Sequence, residues 1–476
     1  MESGSIPSSP VLKIRPSLVH ALIPSIGTIL LLGIGYGIYR IRVEVLLIAA
    51  TALAGGMARR LGLRWKEIQS GMMESIMKGL PAMLIVVIVG ALIGSWMAAG
   101  IIPMIIHFGL GMISARFFLV TACLSTGIVS VLTGTGYGTI GTVGVAFMGI
   151  AHGLSIPPAE AAGALVSGAY LGDKVSPFAA NANLAVAVAR VNIVDHIRHS
   201  LWTTLPALAV AMAVYAAVGG KVPGPSGVSN GDLSLRSALA GHFTFSLWLL
   251  LPPAITVWAM VRNRPVIPGM LLSAGSAVAL AMAIQHLPIA EATGVMVTGY
   301  VSRSGVAPLD KLLSQGGMLS MMPVTLIALC AFAFSGVMQS AGLFEPLLDR
   351  LHRFAHTPGR LIAATGASCL GVEMMTGSAF LCILLPGELF APAYQRMNLA
   401  AKNLSRTIGD CGIVGVPLIP WSIAAAFMGS ALGVPAIDYA PWAVFCYAGA
   451  AFTLLSGFTG FAVAPRRADD ETQPGS

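Results

Sequence analysis

Apolar stretches long enough to cross a bilayer recur along this whole chain, at residues 18–39, 43–58, 79–99, 117–132, 201–218, 243–261, 266–287, 318–339 and 440–463. A spanning helix needs about 20 mostly apolar residues. Lipid leaves two architectures open, helices and closed barrels, because backbone polar groups must be satisfied inside the protein. A barrel would show short alternating strands, and none are visible. Only 10% of the 476 residues are charged, where a soluble domain carries about a quarter. The sequence predicts an all-α polytopic membrane protein.

The formal charge of +8 does not point to nucleic acid, because the basic residues sit at the ends of apolar segments: Arg40 and Arg42, Arg59 to Lys66, Arg262 and Arg264, Arg350 and Arg353. Such residues set topology and meet headgroups. Both ends of the second apolar segment carry arginines, so charge alone does not orient the chain. The cysteines are scattered in apolar surroundings, with neither metal-ligand spacing nor a disulfide framework. The first residues are too polar for a signal peptide.

A Gly/Pro/Ser-rich stretch near the middle reads as a linker. It gives a polar segment 1–17, a first transmembrane repeat 18–218, a linker 219–241, a second repeat 242–463 and a polar tail 464–476. The flanks of the linker share their punctuation. Pro81 matches Pro323 (323 − 81 = 242), Gly100 matches Gly342 (342 − 100 = 242), and Thr133-Gly134 matches Thr376-Gly377 (376 − 133 = 243). Gly172-Asp173 is then expected to match Gly409-Asp410, after a few deletions (410 − 173 = 237). Duplicated membrane proteins are typically secondary transporters, with a midplane site built from broken helices in matching positions. Inverted repeats with re-entrant hairpins are expected.

The candidate breaks are Gly134, Gly136, Gly138 and Pro177 in the first half, and Gly377, Pro417 and Pro420 in the second. Gly136-Tyr-Gly138-Thr-Ile-Gly141 has the spacing of a dinucleotide fingerprint but no strand before it. It reads better as an unwound segment, whose freed carbonyls and the hydroxyls of Thr133, Thr135 and Thr139 can meet a cation or polar substrate; close helix packing is the plainer alternative. Asp173, Asp410 and Glu373 are acids in apolar surroundings. An intramembrane carboxylate is functional by default, and one that binds either a proton or a hard cation suffices for exchange. An interfacial cap or a local ion pair with Lys174 is the alternative for Asp173. Asn181 and Asn183 can act as neutral ligands or as interhelical hydrogen-bond partners. Ser176, Thr376, Ser378 and Ser422 complete the candidate set. A Na+ site is expected near Asp173 and Asn183. His107 is a weaker candidate for proton transfer.

At these residues the chain resembles the NhaC family of bacterial Na+/H+ antiporters. The likeness runs from about Trp65 to Phe461. Its strongest stretches are Thr133–Gly144, Ser167–Pro177, Asp195–His199, Lys402–Thr407, Pro417–Trp421 and Ser456–Gly460. The resemblance implies an inner-membrane secondary transporter with inverted repeats and hairpins meeting at the centre. The family also has members that exchange organic acids, such as malate for lactate. The chain departs from the pattern at two acids. After Ser-Pro the family usually reads Leu-Ser-Asp-Thr-Thr-Asn, where this chain has Phe178-Ala-Ala-Asn-Ala-Asn183. After Thr-Gly it commonly has Asp-Gln-Tyr, where this chain has Ser378-Ala-Phe380.

The expected function is cation/H+ antiport, with Asp173 and Asp410 as exchanging carboxylates. The missing acids keep a second reading open, an H+- or Na+-coupled carrier of an organic anion or amino acid. No enzyme is expected, because no nucleophile–base pair, phosphate loop or metal-ligand set appears. No cofactor is expected beyond Na+ and H+ as coupling ions. The expected partners are the bilayer and a small ion or organic solute, with a homodimer as the assembly if one forms, and no nucleic acid.

Overall fold

The computed structural model describes residues 16–220, 230–262, 266–303, 310 and 313–466. Residues 221–229 of the expected linker, most of the first segment and most of the tail lie outside them. Among the described residues the regular structure is helical, apart from one isolated bridge between Leu399 and Pro465. Among the described residues, six helices are long and apolar enough to cross a membrane, or up to 9 if each of three bent pairs is one span. The protein is an all-α polytopic membrane protein.

Its longest helix, α1 (Trp65–Ala99), has 35 residues. At about 1.5 Å per residue it is roughly 52 Å long, well over the ~30 Å hydrocarbon core. Its first turns accordingly carry water-facing groups, including an ion pair between Lys78 and Glu74 at 2.8 Å. Its last turns, from Ile88 to Ala99, are buried without a gap. Helix α1 packs along the helices Val266–Ile284 and Met322–Ser340, and the latter also packs against Val43–Arg60. A Cβ on Gly79 would sit 2.2 Å from the ring of Phe332. That approach of two helices requires a residue without a side chain.

The remaining helices form two hairpin units. In the first, α2 (Phe118–Thr133) stops at Gly134, whose φ of 69° needs no Cβ. The chain returns through Gly136–Thr139, a π-helical turn at Ile140–Gly144 and α3 (Val145–Gly153). Phe147 of α3 meets Phe118 at the start of α2, ring centroids 6.0 Å apart, so this pair is a re-entrant hairpin. Helix α4 (Pro158–Val175) runs parallel to α2: Gly168 lies against Thr126, Gly172 against Ser130, and Gly134 against Phe178. After a break at 176–179 the chain resumes as α5 (Ala180–Ala189), and α6 (Ile193–Gly219) crosses back, ending beside Arg116.

The second unit has the same order: α7 (Pro358–Thr376), a tip at Gly377, α8 (Ala379–Arg396), α9 (Ala401–Ile408) with a π-helical turn Gly409–Ile413, a break to Ser422, then α10 (Ile423–Leu432) and α11 (Val444–Thr459). Gly387 of α8 packs on Val188 at the end of α5, and Phe461 meets Trp202 near the start of α6. Trp442, before α11, meets Tyr215 near the end of α6. The second hairpin therefore enters from the face opposite the first.

Left-handed residues recur at one spacing: Gly134 and Gly377 (377 − 134 = 243), Ser155 and Asn398 (398 − 155 = 243), Arg190 and Gly433 (433 − 190 = 243). Helix starts do the same, Pro158 with Ala401 and Ala180 with Ile423 (423 − 180 = 243). This spacing holds on both sides of Asp410, which corrects the expected match at 237. Asp410 stands opposite Ser167 (410 − 167 = 243), and Asp173 stands opposite Val416 (416 − 173 = 243). No deletion separates the two halves here; two Gly-Asp pairs at different helix positions imitated one.

Candidate functional site

The two hairpin tips are joined inside the protein through α10. Tyr137, at the first tip, packs edge-on against Phe427 of α10 at 4.7 Å. The backbone N–H of Ile423 donates to the Gly377 carbonyl at 3.2 Å, tying α10 to the second tip. Trp421 donates its indole N–H to the Met374 carbonyl at 2.7 Å. Broken backbone at such depth survives because protein, not lipid, surrounds it.

Asp173 lies in the last turn of α4 and is buried. Its carboxylate accepts from the N–H of Gly136 at 3.2 Å and from the side-chain amide of Asn181 at 3.3 Å. A Cβ at Gly136 would come within 3.4 Å of that carboxylate. The first tip thus offers Asp173 a backbone donor, and adds hydroxyls. Thr133 and Thr139 hydroxyls are 3.3 Å apart, and the Thr135 hydroxyl accepts from the Gly138 N–H at 3.2 Å. Carboxylate and hydroxyl oxygens are the ligands a hard cation takes.

Asn181 and Asn183 part company. Asn183 is exposed and donates to the carbonyls of Pro177 at 2.9 Å and Ala179 at 2.8 Å. It ties down the break and does not join the Asp173 group. Ser176 is similar in role: its hydroxyl donates to the Val131 carbonyl at 2.6 Å and accepts from the Phe178 N–H at 3.2 Å. In the second unit Ser422 donates to the Val416 carbonyl at 2.7 Å and caps α10. Thr376 donates to the Val372 carbonyl at 2.8 Å and accepts from the Ser378 N–H at 3.2 Å. Ser378 is buried beside Gly377. Pro417 and Pro420 lie in the break, where the Pro417 carbonyl accepts from Tyr439 at 2.7 Å.

Glu373 lies one turn before the second tip. It is fully buried, and neither carboxyl oxygen has a hydrogen-bond partner among the described residues. A Cβ at Gly415 would stand 3.4 Å from one of those oxygens. The buried Cys369 and Cys382 meet at Gly412, on the same π-helical turn as Cys411, so the interior beside α7 is apolar. An ionised carboxylate left unpaired in such surroundings is costly.

Asp410 has different company. One of its oxygens pairs with the ammonium of Lys174, and the other accepts hydroxyls from Thr203 and Thr453, each at 2.7 Å. Lys174 also donates to Thr203 at 3.3 Å. All four are buried. Lys174 therefore bridges to the other half and makes no ion pair with its neighbour Asp173, contrary to the local alternative. Below this pair lies a basic layer. The Arg406 guanidinium donates to the Ala462 carbonyl at 2.7 Å and to Ser456 at 3.0 Å. His196 contacts Ser405 at 3.0 Å, and His199 contacts Asn403 at 3.0 Å. His107 stands apart, 3.2 Å from the Arg236 carbonyl.

Sequence reading missed Lys174, Arg406, Thr203, Thr453 and Tyr137. Lys174 and Arg406 carried a usable signal, since each is a cation inside an apolar helix pattern. The two threonines carried none, because only the tertiary fold brings them to Asp410.

No group of three or more His, Cys, Asp or Glu side chains able to hold a metal ion occurs among the described residues. A family model described as the Na+/H+ antiporter family matches residues 168–461. The chain is 39% identical to an uncharacterized Na+/H+ antiporter of Haemophilus influenzae, over 94% of this chain and 97% of the relative. It is 36% identical to the Na+/H+ antiporter NhaC of Alkalihalophilus pseudofirmus, over 92% and 96%. It is 31% identical to the arginine/ornithine antiporter ArcD of Halobacterium salinarum, over 94% and 93%.

Proposed function

Because this chain belongs to the Na+/H+ antiporter family, we propose that it is a secondary transporter exchanging Na+, or a similar monovalent cation, for protons across the inner membrane. Asp173 is the exchanging carboxylate in this reading. The observation that carries it is the setting of Asp173: a buried acid held by Gly136 and Asn181 at the tip of one hairpin, where the tip also supplies threonine hydroxyls. A single carboxylate there can hold a proton or a cation but not both, and that competition couples two opposing flows. Glu373 is a second proton-accepting group, one turn before the second tip. Its lack of hydrogen-bonding oxygens nearby suits a proton better than a hard cation.

One observation favours a second reading. The family's usual acids are replaced by Ala180 and Ser378, close to the two breaks. Fewer fixed negative charges make an organic anion or an amino acid easier to hold. The arginine/ornithine relative shows that the family's range of named substrates is wide.

Proteoliposomes carrying a pH dye separate the two. Na+, Li+ and K+ pulses are compared with a panel of carboxylates and amino acids. Proton movement on Na+ or Li+ alone supports cation exchange. Silence to all three cations, with a response to one organic solute, establishes the second reading.

A further inference from the structure

The environment of Asp410 has the composition of a small-cation site. Three helices supply its oxygens: the Asp410 carboxylate from the π-helical turn after α9, Thr203 from α6 and Thr453 from α11. Both threonine hydroxyls lie 2.7 Å from one carboxylate oxygen, with the Ser200 carbonyl a second acceptor for Thr203 at 3.0 Å. The other carboxylate oxygen and the Thr203 hydroxyl face a common point, while Thr453 holds the carboxylate in place. The ammonium of Lys174 sits there, on Asp410 and 3.3 Å from Thr203. An ammonium is a compact point charge with three donors, so it satisfies oxygens that would otherwise coordinate an ion. We propose that Asp410, Thr203 and Thr453 form a second monovalent-cation site, and that the side chain of Lys174 is its tethered occupant. The proposal rests on the cation-exchange reading above.

Three further features fit. Lys174 follows Asp173 directly, two residues before the break at Ser176, so any movement of that break carries the ammonium with it. Arg406 lies one helical turn from Asp410, and its charge adds to that of Lys174 against entry of a further cation. His196 contacts the Lys174 backbone carbonyl at 3.2 Å, fixing this turn from the α6 side. Lys174 thereby acts as a specificity-determining residue: with its ammonium in place, the only open carboxylate of the pair Asp173 and Asp410 is Asp173.

The test is thermal stabilisation of the purified full chain by Na+ or Li+, with choline balancing ionic strength. Asp173→Asn alone is expected to lose the cation-dependent shift. Adding Lys174→Met to Asp173→Asn is expected to bring a shift back, by opening the Asp410 oxygens. A third change, Asp410→Asn, is expected to remove it again. Lys174→Arg in the Asp173→Asn background should keep the site closed. Lys174→Gln serves where the methionine variant does not fold, monodispersity being the criterion. A folded Lys174→Met/Asp173→Asn protein with no cation shift overturns the proposal, as does a regained shift that survives Asp410→Asn. A shift that persists in Asp173→Asn alone instead contradicts the Asp173 reading. The Lys174 proposal is then decided by whether Lys174→Met adds a shift that Asp410→Asn removes.

Discussion

Lys174 in the first half gives its ammonium to Asp410 in the second, while its neighbour Asp173 turns to the tip of its own hairpin. Two adjacent residues on one helix thus serve two different centres. A substitution at either has a distinct signature.

Removing one partner of a buried ion pair leaves a charge without compensation, which costs about 3–5 kcal/mol, whereas replacing both is often close to neutral. Lys174→Met is therefore expected to lower stability by that amount, and Lys174→Met/Asp410→Asn to recover most of it. Reversible unfolding in mixed micelles measures the cycle. Additive losses would show that the two side chains are not coupled.

Glu373 makes no hydrogen bond that a substitution could break. Glu373→Gln should leave stability within about 1 kcal/mol of the parent, as substitutions that break no named interaction do. Transport should nonetheless fall, and its dependence on pH should flatten. Unfolding curves and dye-monitored exchange across a pH series check the two halves of this expectation. Full exchange with an unchanged pH profile would remove Glu373 from the mechanism.

Gly134 closes the first hairpin at φ 69°, and a Cβ there would lie 2.5 Å from the backbone of Phe178. The left-handed conformation alone costs a residue with a side chain about 1–2 kcal/mol. The overlap adds to it and pushes the break at 176–179 away from the tip. Gly134→Ala is expected to lower the melting temperature and to abolish transport. Retained exchange would show that the spacing of tip and break is not critical.

The fold also orients the chain. Helix α1 begins at the face where the second hairpin enters, since Gly71 packs on Ser340 just before the helix Glu345–His352, whose His352 meets Phe390 of α8. Arg59, Arg60, Arg64, Arg190, Arg198, Arg350 and Arg353 are all exposed near that face. The opposite face has Arg116 with Glu160 and Asp438, and the far end of Val43–Arg60 carries Arg40 and Arg42, the latter paired with Glu44, so the basic residues are fewer there. Short basic connections stay on the cytoplasmic side. A cysteine placed at Arg198 is expected to react with impermeant maleimide only in inside-out vesicles, and one at Asp438 only in right-side-out vesicles. The reverse pattern would invert the orientation.

Much of this was readable from residues. Gly134 and Gly377 announced both hairpin tips, since a glycine after an apolar helix marks a stop that lipid would not tolerate without protein around it. Asp173 and Glu373 stood out because an acid in an apolar pattern needs a reason. What failed was register and partnership. Asp410 was matched to Asp173 by sequence, yet it sits two turns earlier in its helix, opposite Ser167. Its true companions, Lys174, Thr203 and Thr453, lie 236, 207 and 43 residues away along the chain. No local pattern encodes such contacts. The charge pattern around Val43–Arg60 was ambiguous for a related reason: only the packing of α1 shows which arginines share a face.

The most direct measurement is equilibrium binding of radioactive Na+ to the purified protein and to its Asp173→Asn variant, over a range of pH. The parent is expected to bind Na+ at alkaline pH and to release it as protons are added, while the variant binds none at any pH. Equal Na+ binding by the two proteins, or binding by the parent that is indifferent to protons, would contradict exchange at Asp173.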